Sequence, residues 1–130
     1  MLADRRGFVV MASTAVLAAA GVWRAPSPET PMYGLIGKML AVPGQRDALI
    51  AVLLEGIGGM PGCLSYIVAT DPADENAIWI TEVWDSEASH RASLSLPSVK
   101  AAIGKGRPLI ASFAQSTVTT PIGGHGLQRS

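Results

Sequence analysis

The alternation of apolar and polar residues changes period several times after residue 32, and each change marks an element. "MYGLIGKMLAV" (32–42) is apolar and glycine-rich and is closed by Pro43-Gly44, which predicts a first strand ending in a turn. In "QRDALIAVLLEGI" (45–57), Leu49, Val52, Leu53 and Ile57 recur at helical spacing, and Ile50 and Leu54 widen the stripe. Gln45, Arg46, Asp47 and Glu55 form a polar face, so the segment predicts an amphipathic helix. "GGMPG" (58–62) stops it, because proline cannot continue a helix and glycine tolerates a left-handed exit. The period then falls to two. "CLSYIVAT" (63–70) sets Leu64, Tyr66 and Val68 against Cys63, Ser65 and Ile67. "AIWITEVW" (77–84) sets Ile78, Ile80, Glu82 and Trp84 against Trp79, Thr81 and Val83. With the polar "DPADEN" between them, these two strands predict a hairpin with a long connection.

Asp85 or Ser86 can cap a new helix, and Glu87 suits the positive end of its dipole, so residues 86–94 read as helical. Pro97 is tolerated at a helix start, and "LPSVKAAIGKG" reads as a second short helix bounded by Gly104 and Gly106. "LIASFAQSTVTT" (109–120) alternates Phe113, Gln115 and Thr117 against Ala114, Ser116 and Val118 and predicts the closing strand. A flexible glycine-rich tail, 120–130, follows. Strand, helix, strand, strand, helix pair, strand is the ferredoxin-like split βαβ order. The fold class is therefore α+β, with a four-stranded antiparallel sheet and its helices on one face. The other face is left bare while the third strand is apolar on both sides, so a second copy of the chain is the simplest cover.

The first thirty residues have a different character. Paired arginines at 5 and 6 precede a small-residue apolar run from Phe8 to Val22, and a Pro-rich spacer, 21–31, follows. Residues 1–20 read as an export signal of the twin-arginine type, with cleavage after Ala20, although Asp4 stands where serine or threonine is usual. The run of about 15 residues is short of the roughly 20 that a membrane span needs, so no stable membrane anchor is expected, the alternative being an uncleaved N-terminal anchor. Ten basic and ten acidic residues balance, and no basic run occurs, which argues against a nucleic-acid surface. A single cysteine, Cys63, excludes an internal disulfide, and no Cys/His spacing forms a metal cage, so no cofactor is expected.

"PGCLSY" opening the second strand, "EVW" closing the third and a histidine in the following helix together resemble the antibiotic biosynthesis monooxygenase family. The likeness extends from residue 32 to about 119 and is strongest to its small quinol-monooxygenase-like members, in the dimeric α/β-barrel superfamily. It implies a homodimer, a pocket between sheet and helices in each subunit, and oxygenation of an electron-rich aromatic by dioxygen without metal or flavin. In such chemistry the substrate supplies the electrons, and the protein must bind, deprotonate and exclude water. Relatives that degrade haem carry an asparagine on the first strand and a histidine about ten residues beyond the tryptophan. Here the first strand has no asparagine and the tenth residue beyond Trp84 is Leu94. Many relatives place a histidine about nine residues beyond, where this chain has Ser93; His90 lies six beyond.

His90 is the candidate catalytic residue, since an imidazole titrates near neutrality and can take a proton from a bound quinol. The alternative is an exposed helix histidine, with Ala88, Ala92 and Leu94 making the buried face. Trp84 and Tyr66 are candidate substrate-binding walls, Tyr66 also offering a phenol donor, and both types also serve as strand core. Glu82 is the third candidate substrate contact. A carboxylate on a covered strand face needs a partner, with Arg91, Arg107 or the other subunit as options. Cys63 reads as a small buried residue. His125 lies in the tail. The rival function is a non-catalytic dimeric protein that binds a hydrophobic small molecule, or haem, in the same pocket.

Overall fold

A computed structural model of the chain describes residues 30–127. The 1–20 export-signal segment and most of the 21–31 spacer lie outside the described residues. The elements are β1 (Tyr33–Ala41), α1 (Arg46–Glu55), β2 (Cys63–Thr70), β3 (Ala77–Trp84), α2 (Glu87–Ser93), α3 (Pro97–Gly106), a 3-10 turn (Arg107–Leu109) and β4 (Ile110–Thr119). The four strands form one antiparallel sheet in the order β2-β3-β1-β4, the ferredoxin-like arrangement expected from the element order. No helix among the described residues is long and apolar enough to cross a membrane.

Register assigns the faces. Tyr33, Leu35, Gly37 and Met39 of β1 stand opposite Trp84, Glu82, Ile80 and Ile78 of β3, and all point to the helix side. There Ala41, Leu49, Ile78 and Ile80 form the buried core, with Met39, Ile50, Leu53, Tyr66 and Val68 packed against it. Leu49 is the α1 residue that is fully buried. The stripe is narrower than its periodicity predicts, because Leu54 is half exposed. The opposite face carries Ile36, Lys38 and Leu40 with Trp79, Thr81 and Val83, and no helix packs on it. Lys38 stands 5.3 Å over the Trp79 ring, and the Trp79 indole N–H donates to Asp71 Oδ2 at 2.9 Å. That bond is the main cause holding the Asp71 carboxyl below its ordinary value.

Three register shifts interrupt the strict alternation expected from sequence, two in β4, at Ala114 and at Ala111, and one in β2. In β4, Gln115 pairs with Lys38 but Phe113 pairs with Met39, so Ala114 is the extra residue and Phe113 shares the helix-side face with Ser116 and Val118. In β2, Cys63 pairs with Trp84 and Ser65 with Val83, which moves Cys63 onto the face of Tyr66 and Val68.

The β3-to-α2 junction rests on Ser86. Its backbone is extended and its hydroxyl accepts the Ser89 N–H, so Ser86 rather than Asp85 caps α2. The chain entering β2 packs against this cap, with Asp85 N–H donating to Gly62 O at 2.9 Å. Gly62 has φ +83, and a Cβ there would lie 2.5 Å from Ser89 Oγ and 2.7 Å from Asp85 Oδ1. Gly44 has nearly the same φ, +81, with nothing within 4 Å. Both glycines replaced by alanine carry the left-handed penalty of about 1–2 kcal/mol, but only Gly62→Ala adds a clash. Urea denaturation is expected to show a clearly larger loss of stability for Gly62→Ala than for Gly44→Ala, and equal losses would remove this account of "PGC".

Candidate functional site

The helices stand off from the sheet over part of its covered face and leave a cavity of about 500 Å³. Met39 and Phe113 of the sheet, Leu49 and Leu53 of α1, and Val99 and Ile103 of α3 give it a largely apolar wall. All four residues singled out from the sequence line it: Tyr66 from β2, Glu82 and Trp84 from β3, and His90 from α2. Among the described residues no group of three or more His, Cys, Asp or Glu could hold a metal ion.

His90 faces inward. The buried face of α2 is made by Ser89, His90 and Ser93, while Ala88 and Ala92 are exposed and Leu94 is 46% exposed, which overturns the apolar alternative. The cause is the position of the cap. His90 is the fourth residue of the helix, counted from Glu87, and helical side chains lean toward the N-terminus, which here means back over the end of β3. The imidazole lies between two aromatic rings, 5.3 Å from Tyr33 in a tilted contact and 5.4 Å from Trp84 edge-on. Its Nε2 faces Glu82 Oε1 at 3.9 Å, an ion-pair separation longer than a hydrogen bond. The same carboxylate oxygen accepts the Trp84 indole N–H at 2.9 Å. Ser93, 4% exposed, donates its hydroxyl to the His90 carbonyl at 2.6 Å.

The partner of Glu82 is therefore His90 together with the Trp84 indole. Arg91 is occupied elsewhere, 3.3 Å from Glu87 across one helical turn. Arg107 lines the cavity but has no carboxylate within ion-pair distance among the described residues. Trp84 is 1% exposed and serves as core and cavity wall at once. Tyr33 and Phe113 were not identified from sequence. Tyr33 is placed by the β1–β3 register, and Phe113 is hidden by the bulge at Ala114.

Burial pushes the Tyr66 phenol well above its ordinary 10.0, and the nearby Glu82 carboxylate and Cys63 push it further. Cys63 is also raised, chiefly by burial and in part by Glu82, against the lowering effect of a hydrogen bond with the Ser65 backbone. Tyr66 is thus a persistent hydrogen-bond donor, and the thiol is no ready nucleophile. A raised tyrosine keeps its proton folded and loses it unfolded, so stability falls as pH rises through 10. The denaturant midpoint is expected to drop between about pH 10 and 11.5 in the wild type and less steeply in Tyr66→Phe. Parallel profiles would contradict the assignment.

The domain is thus ferredoxin-like α+β, with an apolar, aromatic-walled cavity and a histidine–carboxylate pair at its wall. The sequence pattern of the antibiotic biosynthesis monooxygenase family matches residues 32–105, and the chain belongs to that family. A crystal structure of a candidate antibiotic biosynthesis monooxygenase from Chloroflexus aurantiacus J-10-fl is 69% identical, covering 75% of this chain and 99% of that one with a TM-score of 0.74. A protein from Pseudomonas aeruginosa, 18% identical over 75% of this chain and 100% of its own, has a TM-score of 0.66. A candidate family member from Bacteroides thetaiotaomicron, 17% identical over 77% and 97%, also has 0.66, and these two distant likenesses show the fold alone. No curated protein matches the chain.

Proposed function

We propose that the protein is a cofactor-independent monooxygenase acting on a quinol or other phenolic small molecule. The observation that carries this reading is the His90–Glu82 pair set among Tyr33, Trp84 and Tyr66 at the wall of an apolar cavity. His90 takes the ring hydroxyl proton, Glu82 holds the imidazole in place and balances the charge it gains, and Tyr66 donates to a substrate oxygen. The electron-rich anion reduces dioxygen by one electron. Radical and superoxide combine at a ring carbon to a hydroperoxide, whose loss of water leaves one oxygen atom in the product. The apolar wall excludes water from these steps.

Oxygen uptake with a panel of hydroquinones tests it. The wild type is expected to exceed the buffer rate, His90→Ala to lose about 100-fold or more of that gain, and Glu82→Gln to lose less. No uptake above buffer by the wild type, with ligand binding intact in His90→Ala, would instead support a non-catalytic carrier using the same cavity.

The same proposal includes a homodimer and export. The bare sheet face carries Ile36, Leu40 and Trp79, Ile67 is 54% exposed, and β4 is exposed along nearly its whole length, all of which favours a second copy against the sheet. The twin-arginine-like leader supports export across the cytoplasmic membrane. The exported chain is expected to start at Gly21 by intact-mass spectrometry and to scatter light as twice that mass. A monomer mass across micromolar concentrations would sink the dimer.

A further inference from the structure

Glu82, His90 and Arg107 all line the cavity. Two of them answer each other, with Glu82 facing His90 and accepting the Trp84 indole N–H. Arg107 answers nothing among the described residues, whereas Arg91 and Lys105 on the neighbouring helices pair with Glu87 and Glu55. Its mount is nonetheless fixed. Its backbone N–H donates to Ile103 O, its carbonyl accepts the Ile110 N–H, Pro108 follows it, and Leu109 O accepts the Val42 N–H at 2.8 Å. An arginine held firmly by its backbone at the edge of an apolar cavity, with its guanidinium unpaired among the described residues, presents a fork of donors matched to a carboxylate.

Its location sets the shape of the ligand. The turn carrying Arg107 leads into Ile110, opposite Ala41, while Glu82 stands opposite Leu35. Those two levels of β1 are six residues apart, on the order of 20 Å along the strand, and Phe113, opposite Met39, lies between them. Side chains reaching in from both levels shorten that gap, but one benzene ring does not bridge it. A second negative charge beside Glu82 would be opposed by its carboxylate, so the anion belongs at the Arg107 end.

Resting on the reading of the cavity as a phenol or quinol site, we propose that its ligand is an elongated anionic aromatic. The ring hydroxyl meets His90 and Glu82, and a carboxylate at the far end is held by Arg107, which therefore sets specificity.

Calorimetric titration of the full chain with 6-hydroxy-2-naphthoate and with its methyl ester tests this. The acid is expected to bind about tenfold tighter than the ester, a difference that added salt narrows. Arg107→Gln is expected to bring the acid down to the ester's affinity and leave the ester within about twofold, and Arg107→Lys to keep part of the preference. Arg107 is exposed, so the unfolding midpoint of Arg107→Gln serves as the folding control. Equal affinities in the wild type, an unchanged ratio in Arg107→Gln, or no binding of either compound overturns the proposal. Oxygen uptake with neutral hydroquinones reads the monooxygenase assignment independently, so either idea can fail without the other.

Discussion

The Glu82 carboxylate is the constraint around which this site is built. It stands on the helix-side face of β3 between Ile80 and Trp84, both buried, where an unpartnered carboxylate would be strongly disfavoured. The chain meets that demand locally. Trp84, two residues on and on the same face, returns its indole N–H, and the helix that begins after Ser86 brings His90 over the same oxygen. The bond to Glu82 orients Trp84, Trp84 presents its ring to His90, and Tyr33, opposite Trp84 on β1, makes a second ring contact to the imidazole. A polar requirement on one strand position thus organises an aromatic enclosure for a histidine. Removing the carboxylate would leave the indole N–H without its acceptor and the imidazole without a facing carboxylate.

A second asymmetry decides where the cavity lies. β1 and β3 are central strands with a core beneath them, while β4 is an edge strand exposed along nearly its whole length. The bulge at Ala114 turns Phe113 toward the cavity, yet Phe113 remains 72% exposed. An aromatic ring that lines a cavity and is mostly wet belongs to a rim rather than a core. The polar pair sits beneath the α2 end of the sheet, and the open, apolar rim sits at the β4 side. A flat ligand inserted from that rim would bury its own face and that of Phe113 together.

Periodicity made the element order legible, and with it the fold, because each element carries enough of the period of its own type and a glycine, proline or capping residue marks most boundaries. Tyr66, Glu82, Trp84 and His90 were legible as candidates because they are the chemically unusual residues on otherwise apolar elements. Their convergence on one cavity depends on register, which local pattern does not encode. Tyr33 meets His90 because β1 pairs with β3 with Tyr33 opposite Trp84, a relation between residues 51 positions apart. The strand faces were misjudged at Cys63 and Phe113 for one reason in both cases. A bulge inserts one residue into a strict two-residue period and reverses every assignment beyond it. Neither arginine named as a Glu82 partner reaches it, because charge complementarity favours arginine whereas helix geometry favours the residue facing the strand end. Arg91, next in sequence, points away to Glu87.

The displaced histidine follows from the same geometry. Positions nine and ten beyond Trp84, where the resemblance led a histidine to be expected, are Ser93 and Leu94, and both line this cavity together with His90. Three and four residues after His90, they occupy the same face of the helical segment about one turn further along. One face therefore offers two stations for an imidazole, and this chain uses the one nearer the strand. The nearer station lies beside Glu82 and Trp84, while the farther one is filled by a serine whose hydroxyl is committed to the His90 carbonyl. Moving the histidine one turn exchanges a position farther along the cavity for one with a carboxylate partner. The spacing of six residues thus signals a different placement on the same helix face rather than a histidine turned to solvent.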